Sequence, residues 1–129
     1  MMATGLECRD SYIYRWQGLW ETHRRKDWVR HVIDLPMLES PGTRFEYCNG
    51  ASFLLSAILQ KATGQTALEF GRKHLFTPLG IEDVRWRENP QGITLGSGDL
   101  FLRPRDMAKI GYLFLNHGQW HHRQIVSTH

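Results

Sequence analysis

The chain has 129 residues, 41% of them hydrophobic, enough for one small domain with a modest core and too apolar for a disordered segment. Its formal charge is +3, and the basic residues form no long block: only His23, Arg24, Arg25 and Lys26 cluster, with no nucleic-acid reading motif beside them. No apolar run is long enough to span a membrane, and residues 1–6 lack the charged start and apolar middle of a secretion signal; a longer parent with an upstream signal would be periplasmic or secreted.

Along the chain, the aromatic-rich stretch from Glu7 to Thr22 alternates Tyr12, Tyr14, Trp16 and Trp20 with polar residues. Gly18 and the scarcity of β-branched residues favour an ordered loop over a strand. Trp28, Val29, Val32 and Ile33 have helical spacing, which predicts a short helix from about His23 to Ile33, stopped by Pro36. Ser40-Pro41-Gly42 is a turn, and Phe45 to Asn49 is short and extended. A strong helix follows from about Ala51 to Ala62. Its apolar stripe is Leu55, Ile58, Leu59 and Ala62, its polar side is Ser52, Ser56 and Gln60, and Phe53, Leu54 and Ala57 widen the arc enough to predict a largely buried helix ending at Gly64.

Thr66 and Glu69 form a capping box that opens a helix to about Leu75. Val84 to Arg87 suits a short strand, Asn89-Pro90-Gln91-Gly92 a turn, and Gly96-Ser97-Gly98 a flexible point. Pro104 starts a last helix running to Leu115, with Met107, Ile110, Gly111 and Phe114 as its inner stripe and Gly118 closing it. The fold class expected is mainly α with short β segments.

Chemistry is sparse. A nucleophilic serine needs a base within reach, and in an SxxK arrangement one helical turn supplies it. Ser11, Ser40, Ser52, Ser56 and Ser97 are followed three positions later by Tyr14, Thr43, Leu55, Leu59 and Leu100, so none qualifies. His117, His121 and His122 read as surface histidines on a loop rather than a metal site, and Glu88, Asp99 and Asp106 as solvated acids. Cys8 and Cys48 match no zinc or CxxC pattern; two buried or partly buried thiols are expected, since spacing alone establishes no disulfide. One constellation is more specific. In an extended segment Tyr47 and Asn49 point the same way, presenting a phenol that can relay protons and an amide that can bind a carbonyl. The same residues also suit a packed tyrosine and an asparagine capping the next helix.

Pro41-Gly42-Thr43-Arg44-Phe45-Glu46-Tyr47-Cys48-Asn49-Gly50-Ala51, followed by Leu54 to Leu59 and Thr63-Gly64, resembles the second motif region of class C β-lactamase-like, penicillin-recognising serine hydrolases. That group includes esterases and D-Ala-D-Ala peptidases. Leu75 to Ile81, Gly96 to Leu100, Leu102 to Ala108, Gly118-Gln119-Trp120 and Gln124 to Ser127 are similar to the same family in the same order. Residues 2–6 look like its segment just after the nucleophile helix.

The resemblance implies that residues 1–129 form one domain, a truncated part of a larger serine hydrolase corresponding mainly to its helical domain. The SxxK motif would lie upstream and the KTG or HxG strand downstream. It further implies acyl transfer through a serine ester on a β-lactam, peptide or ester, with Tyr47 catalytic, Asn49 substrate-binding, and no metal or other cofactor. Without the nucleophile and oxyanion hole, the chain is expected to be inactive alone. Implied partners are the parent's α/β domain, a small acyl substrate in the full-length protein, and a second copy in a homo-oligomer; neither nucleic acid nor a membrane is expected. The alternative function is a non-catalytic binding module on the same helical scaffold.

Overall fold

The computed structural model describes residues 2–10 and 17–127. The expected alternation at Tyr12, Tyr14 and Trp16 lies outside them. The elements are α1 (Gln17–His23), α2 (Trp28–Ile33), α3 (Asn49–Thr63), α4 (Ala67–Gly71) continued by a π-helical turn (Arg72–Phe76), β1 (Arg85–Trp86), β2 (Leu100–Phe101), α5 (Pro104–Leu115), β3 (Gln119–Trp120) and β4 (Arg123–Gln124). The strands make two antiparallel pairs, β1 with β2 and β3 with β4. The architecture is mainly helical, as the sequence implies.

Two helix starts differ from expectation. The stretch read as loop contains α1, and the helix expected from His23 begins only at Trp28. Asp27 explains the second difference. Its backbone is extended and its Oδ1 accepts from the Arg30 N–H at 2.9 Å, so it is the N-cap of α2, and Arg24, Arg25 and Lys26 lie between α1 and α2. On the exposed face of α2, the hydrogen bond to Asp34 raises the pKa of the Arg30 guanidinium.

Helix α3 starts at Asn49 and ends at Gly64, whose left-handed backbone (φ +71°) closes it. Gly50 lies so close to α2 that an added Cβ would fall 2.9 Å from Val32 Cγ1, which fixes how the two helices approach. The Thr66 capping box is present with both of its hydrogen bonds. Three apolar clusters follow. Cys8, Cys48 and Ala51 sit at the start of α3. Trp28, Phe53 and Leu95 pack at its middle, with the two rings edge to face at 5.5 Å. Phe76, Leu79, Ile81, Val84 and Leu113 form the third.

The inner faces of α3 and α5 were not those expected. Asn49, Phe53 and Ser56 of α3 are buried and Gln60 donates to the Gly92 carbonyl, whereas Leu55 and Ile58 are exposed, Ile58 at 61%. In α5, Asp106 and Leu113 are buried and Ile110 packs beside them; Met107, Gly111 and Phe114 face outward, Phe114 at 79%. Both helices carry apolar residues around much of their circumference, so periodicity identifies a helix without selecting the face that this chain covers.

β3 and β4 are joined by His121 and His122 alone, at φ +46° and +62°. Two positive φ values in a two-residue hairpin loop are the type I′ arrangement, which favours Asn-Gly and strains L residues. His122→Gly is therefore expected to stabilise the chain by about 0.5–1 kcal/mol, after the extra unfolded-state entropy of glycine is subtracted from the relieved strain. Thermal unfolding should show a melting temperature raised by a few degrees; an equal or lower value would contradict this account of the turn.

Candidate active site

The segment before α3 is held by the chain's beginning. Ala3 O accepts from Gly42 N–H and Met2 O from Glu46 N–H, both at 2.8 Å. Leu6 and Met37 form an antiparallel bridge, and Pro36 O accepts from Glu7 N–H at 2.9 Å. Cys8 and Cys48 are not free thiols but a disulfide, with Cα atoms 5.3 Å apart. Spacing could not reveal this, because the pairing depends on residues 2–10 lying along residues 36–48.

Cys48, not Asn49, is the N-cap of α3, its sulfur accepting from the Ala51 N–H at 3.2 Å. Asn49 is the first helical residue and is 7% exposed, so it does not cap the helix. Its Oδ1 accepts from Tyr47 Oη at 3.2 Å, bringing together the two residues that the alternation placed on one side. Tyr47 is 37% exposed. Asn49 Nδ2 is buried and has no hydrogen-bond partner among the described residues. A phenol at the edge of solvent thus stands beside an amide with hydrogen-bonding capacity to spare. Such a pair can exchange a proton with one part of a ligand and donate to a carbonyl on another.

Asp10 is a further residue at this site. It is 2% exposed, and its Oδ2 accepts from the Asn49 backbone N–H at 2.7 Å. A lone aspartate 39 positions before its partner leaves no local sequence signal.

The remaining acidic and histidine side chains do not converge on one site among the described residues. Asp99 pairs with Arg87 at 3.2 Å and Asp106 with Lys109 at 2.8 Å, while Glu88 forms a backbone bridge with Thr94. His117, His121 and His122 border a cleft of about 560 Å³ with Tyr112 and Trp120. No group of three His, Cys, Asp or Glu among the described residues is arranged to hold a metal ion.

The Beta-lactamase family model matches residues 8–119. Among solved structures, the chain is similar to "Putative 6-aminohexanoate-dimer hydrolase from Bacillus anthracis", with a TM-score of 0.72 and 26% identity over 81% of this chain and 29% of that one. It also shares a fold with "Crystal structure of putative beta-lactamase from Bacteroides dorei DSM 17855", with a TM-score of 0.65 and 20% identity over 78% of this chain and 31% of that one. The chain therefore spans about three-tenths of the length of these two structures. No curated protein matches it.

Opening the Cys8–Cys48 link should weaken the fold measurably. The bridged residues are 40 positions apart, and in the chain-entropy view such a loop is worth about 4 kcal/mol. Urea unfolding of the oxidised chain against the Cys8→Ser/Cys48→Ser double variant is expected to show a loss of about 2–4 kcal/mol. Equal midpoints, or free thiols in the denatured non-reduced chain, would refute the cross-link's structural role.

Proposed function

Because the chain belongs to the beta-lactamase family, matched over residues 8–119, we propose that it supplies the tyrosine–asparagine side of a serine hydrolase active site whose nucleophile is provided from outside these 129 residues. The observation that carries this reading is the Tyr47–Asn49 contact at 3.2 Å, with Asn49 Nδ2 buried and without an acceptor among the described residues. A buried N–H group without a partner is costly, and a bound acyl carbonyl would satisfy it. Asn49 would then hold the substrate's carbonyl while the Tyr47 phenol relays the proton between the serine oxygen and the leaving group. The reaction is acyl transfer or hydrolysis on a β-lactam, peptide or ester. The name of the Bacillus anthracis structure adds 6-aminohexanoate dimers to these substrate classes.

Two arms test the chemistry. The chain alone, incubated with a β-lactam and with a fluorophosphonate, is expected to keep its intact mass, since Ser11, Ser40, Ser52, Ser56 and Ser97 have no lysine three positions on. A stoichiometric adduct on any serine would sink the proposal. When the chain is joined to family segments carrying the SxxK and third motifs, Tyr47→Phe should lower kcat by about 100-fold or more, the usual contribution of a positioned acid–base group. An unchanged kcat would remove Tyr47 from the mechanism.

The outward faces of α3 and α5 fit the same reading. Leu55, Ile58, Met107, Phe114 and Leu115 are exposed, and the natural cover is the α/β part of the family fold. Without it, these faces should associate with a second copy: even a few hundred Å² of apolar surface is worth several kcal/mol at about 25 cal/mol per Å². Sedimentation at micromolar concentration is expected to show dimers or larger species. A monomer that binds no hydrophobic dye would argue instead for a self-sufficient, non-catalytic binding module.

A further inference from the structure

The first backbone N–H groups of a helix have no partner within it, and the positive end of the macrodipole favours an anion there. In α3 the N-cap is a disulfide sulfur, a weak acceptor, bonded to Ala51 N–H at 3.2 Å. The strong acceptor comes from elsewhere in the chain: Asp10 Oδ2, 2.7 Å from Asn49 N. The placement of Asp10 is over-determined. Arg9, just before it, has a left-handed backbone at φ +49°, so Cys8 and Asp10 both turn inward and are 2% exposed. The Arg9 carbonyl accepts from Gly18 N–H at 3.3 Å. A Cβ added at Gly18 would fall 2.8 Å from Asp10 Oδ1 and 1.8 Å from the Cys8 carbonyl oxygen, so α1 closes over the carboxylate. A strained non-glycine residue persists where surrounding contacts fix it, here between a disulfide and a buried carboxyl group.

We propose that Asp10 is a positioning residue for the Tyr47–Asn49 pair. Held at its own N–H, Asn49 keeps its Oδ1 toward Tyr47 Oη and its Nδ2 free for a ligand carbonyl. Asp10 touches neither substrate nor reacting atoms and acts only through Asn49. This inference rests on the reading of Tyr47 and Asn49 as the reactive pair, but its test involves no substrate. Failure of the test would remove the role of Asp10 while leaving the activity reading to its own experiment.

The test is NMR on the 129-residue chain, with tyrosines labelled at Cζ and Tyr47 assigned through Tyr47→Phe. Asp10→Asn keeps the shape and replaces the carboxyl group by an amide; Asp10→Ala removes the acceptor. Hydrogen exchange of the Asn49 amide, measured relative to Leu59 in the same helix, is expected to rise several-fold in Asp10→Asn and about tenfold or more in Asp10→Ala. The Tyr47 Cζ resonance should move in the same order, with Phe76 and Leu113 amides unchanged. A cap that serves only stability would raise exchange throughout α3 and leave the Tyr47 resonance in place; that result overturns the proposal, as does wild-type behaviour at both probes. If Asp10→Ala does not fold, Asp10→Asn decides by the same two readouts.

Discussion

The Cys8–Cys48 bond fastens residues 2–10 to the start of α3, and the geometry around Tyr47 depends on it. Residues 2–7 and 36–46 build no regular sheet. They meet through one β-bridge and a few backbone hydrogen bonds, at Met2, Ala3, Gly5 and Pro36. Each such bond contributes about 1 kcal/mol net, too little to hold a terminal segment by itself. The covalent link makes the contacts local, buries both sulfurs beside Ala51 and Leu35, and sets Asp10 against the first turn of α3.

From that anchored end, α3 carries rigidity into the rest of the chain. Its first turn bears Asn49. Phe53 packs on Trp28, Gln60 reaches the Gly92 carbonyl, and Gly64 turns the chain toward the Thr66 capping box and the cluster around Phe76. The inner face of the helix is unusually polar, since Ser56 Oγ and Gln60 Oε1 are buried without hydrogen-bond partners among the described residues. Asn49 Nδ2, also without a partner among the described residues, stands beside Tyr47.

The apolar outer faces of α3 and α5 fit the same account. A chain spanning about three-tenths of the structures it resembles need not cover every helix it contains. In α3 the outward face, with Leu55 and Ile58, is more apolar than the face that carries Asn49, Ser56 and Gln60. The stripe that looked strongest by period in each of them, through Ile58 in α3 and Phe114 in α5, is largely the outer one.

The sequence by itself determined what depends on neighbours within a turn or two. The limits of α5, the Gly64 stop, the Thr66–Glu69 box and the turn at Asn89 are local hydrogen-bond and dihedral preferences, and all are present. The shared direction of Tyr47 and Asn49 was also legible, because an extended backbone alternates its side chains. The start of α2 is also set locally, by the Asp27 cap, against which the apolar spacing alone places the helix four or five residues too early. Tertiary structure alone decided the rest: the disulfide, the approach of Asp10 to Asn49, and the faces of α3 and α5 that point inward. Each is a meeting of segments far apart in the chain, or a choice between two apolar surfaces. Such choices are settled by what else is there to pack against, which no local period records.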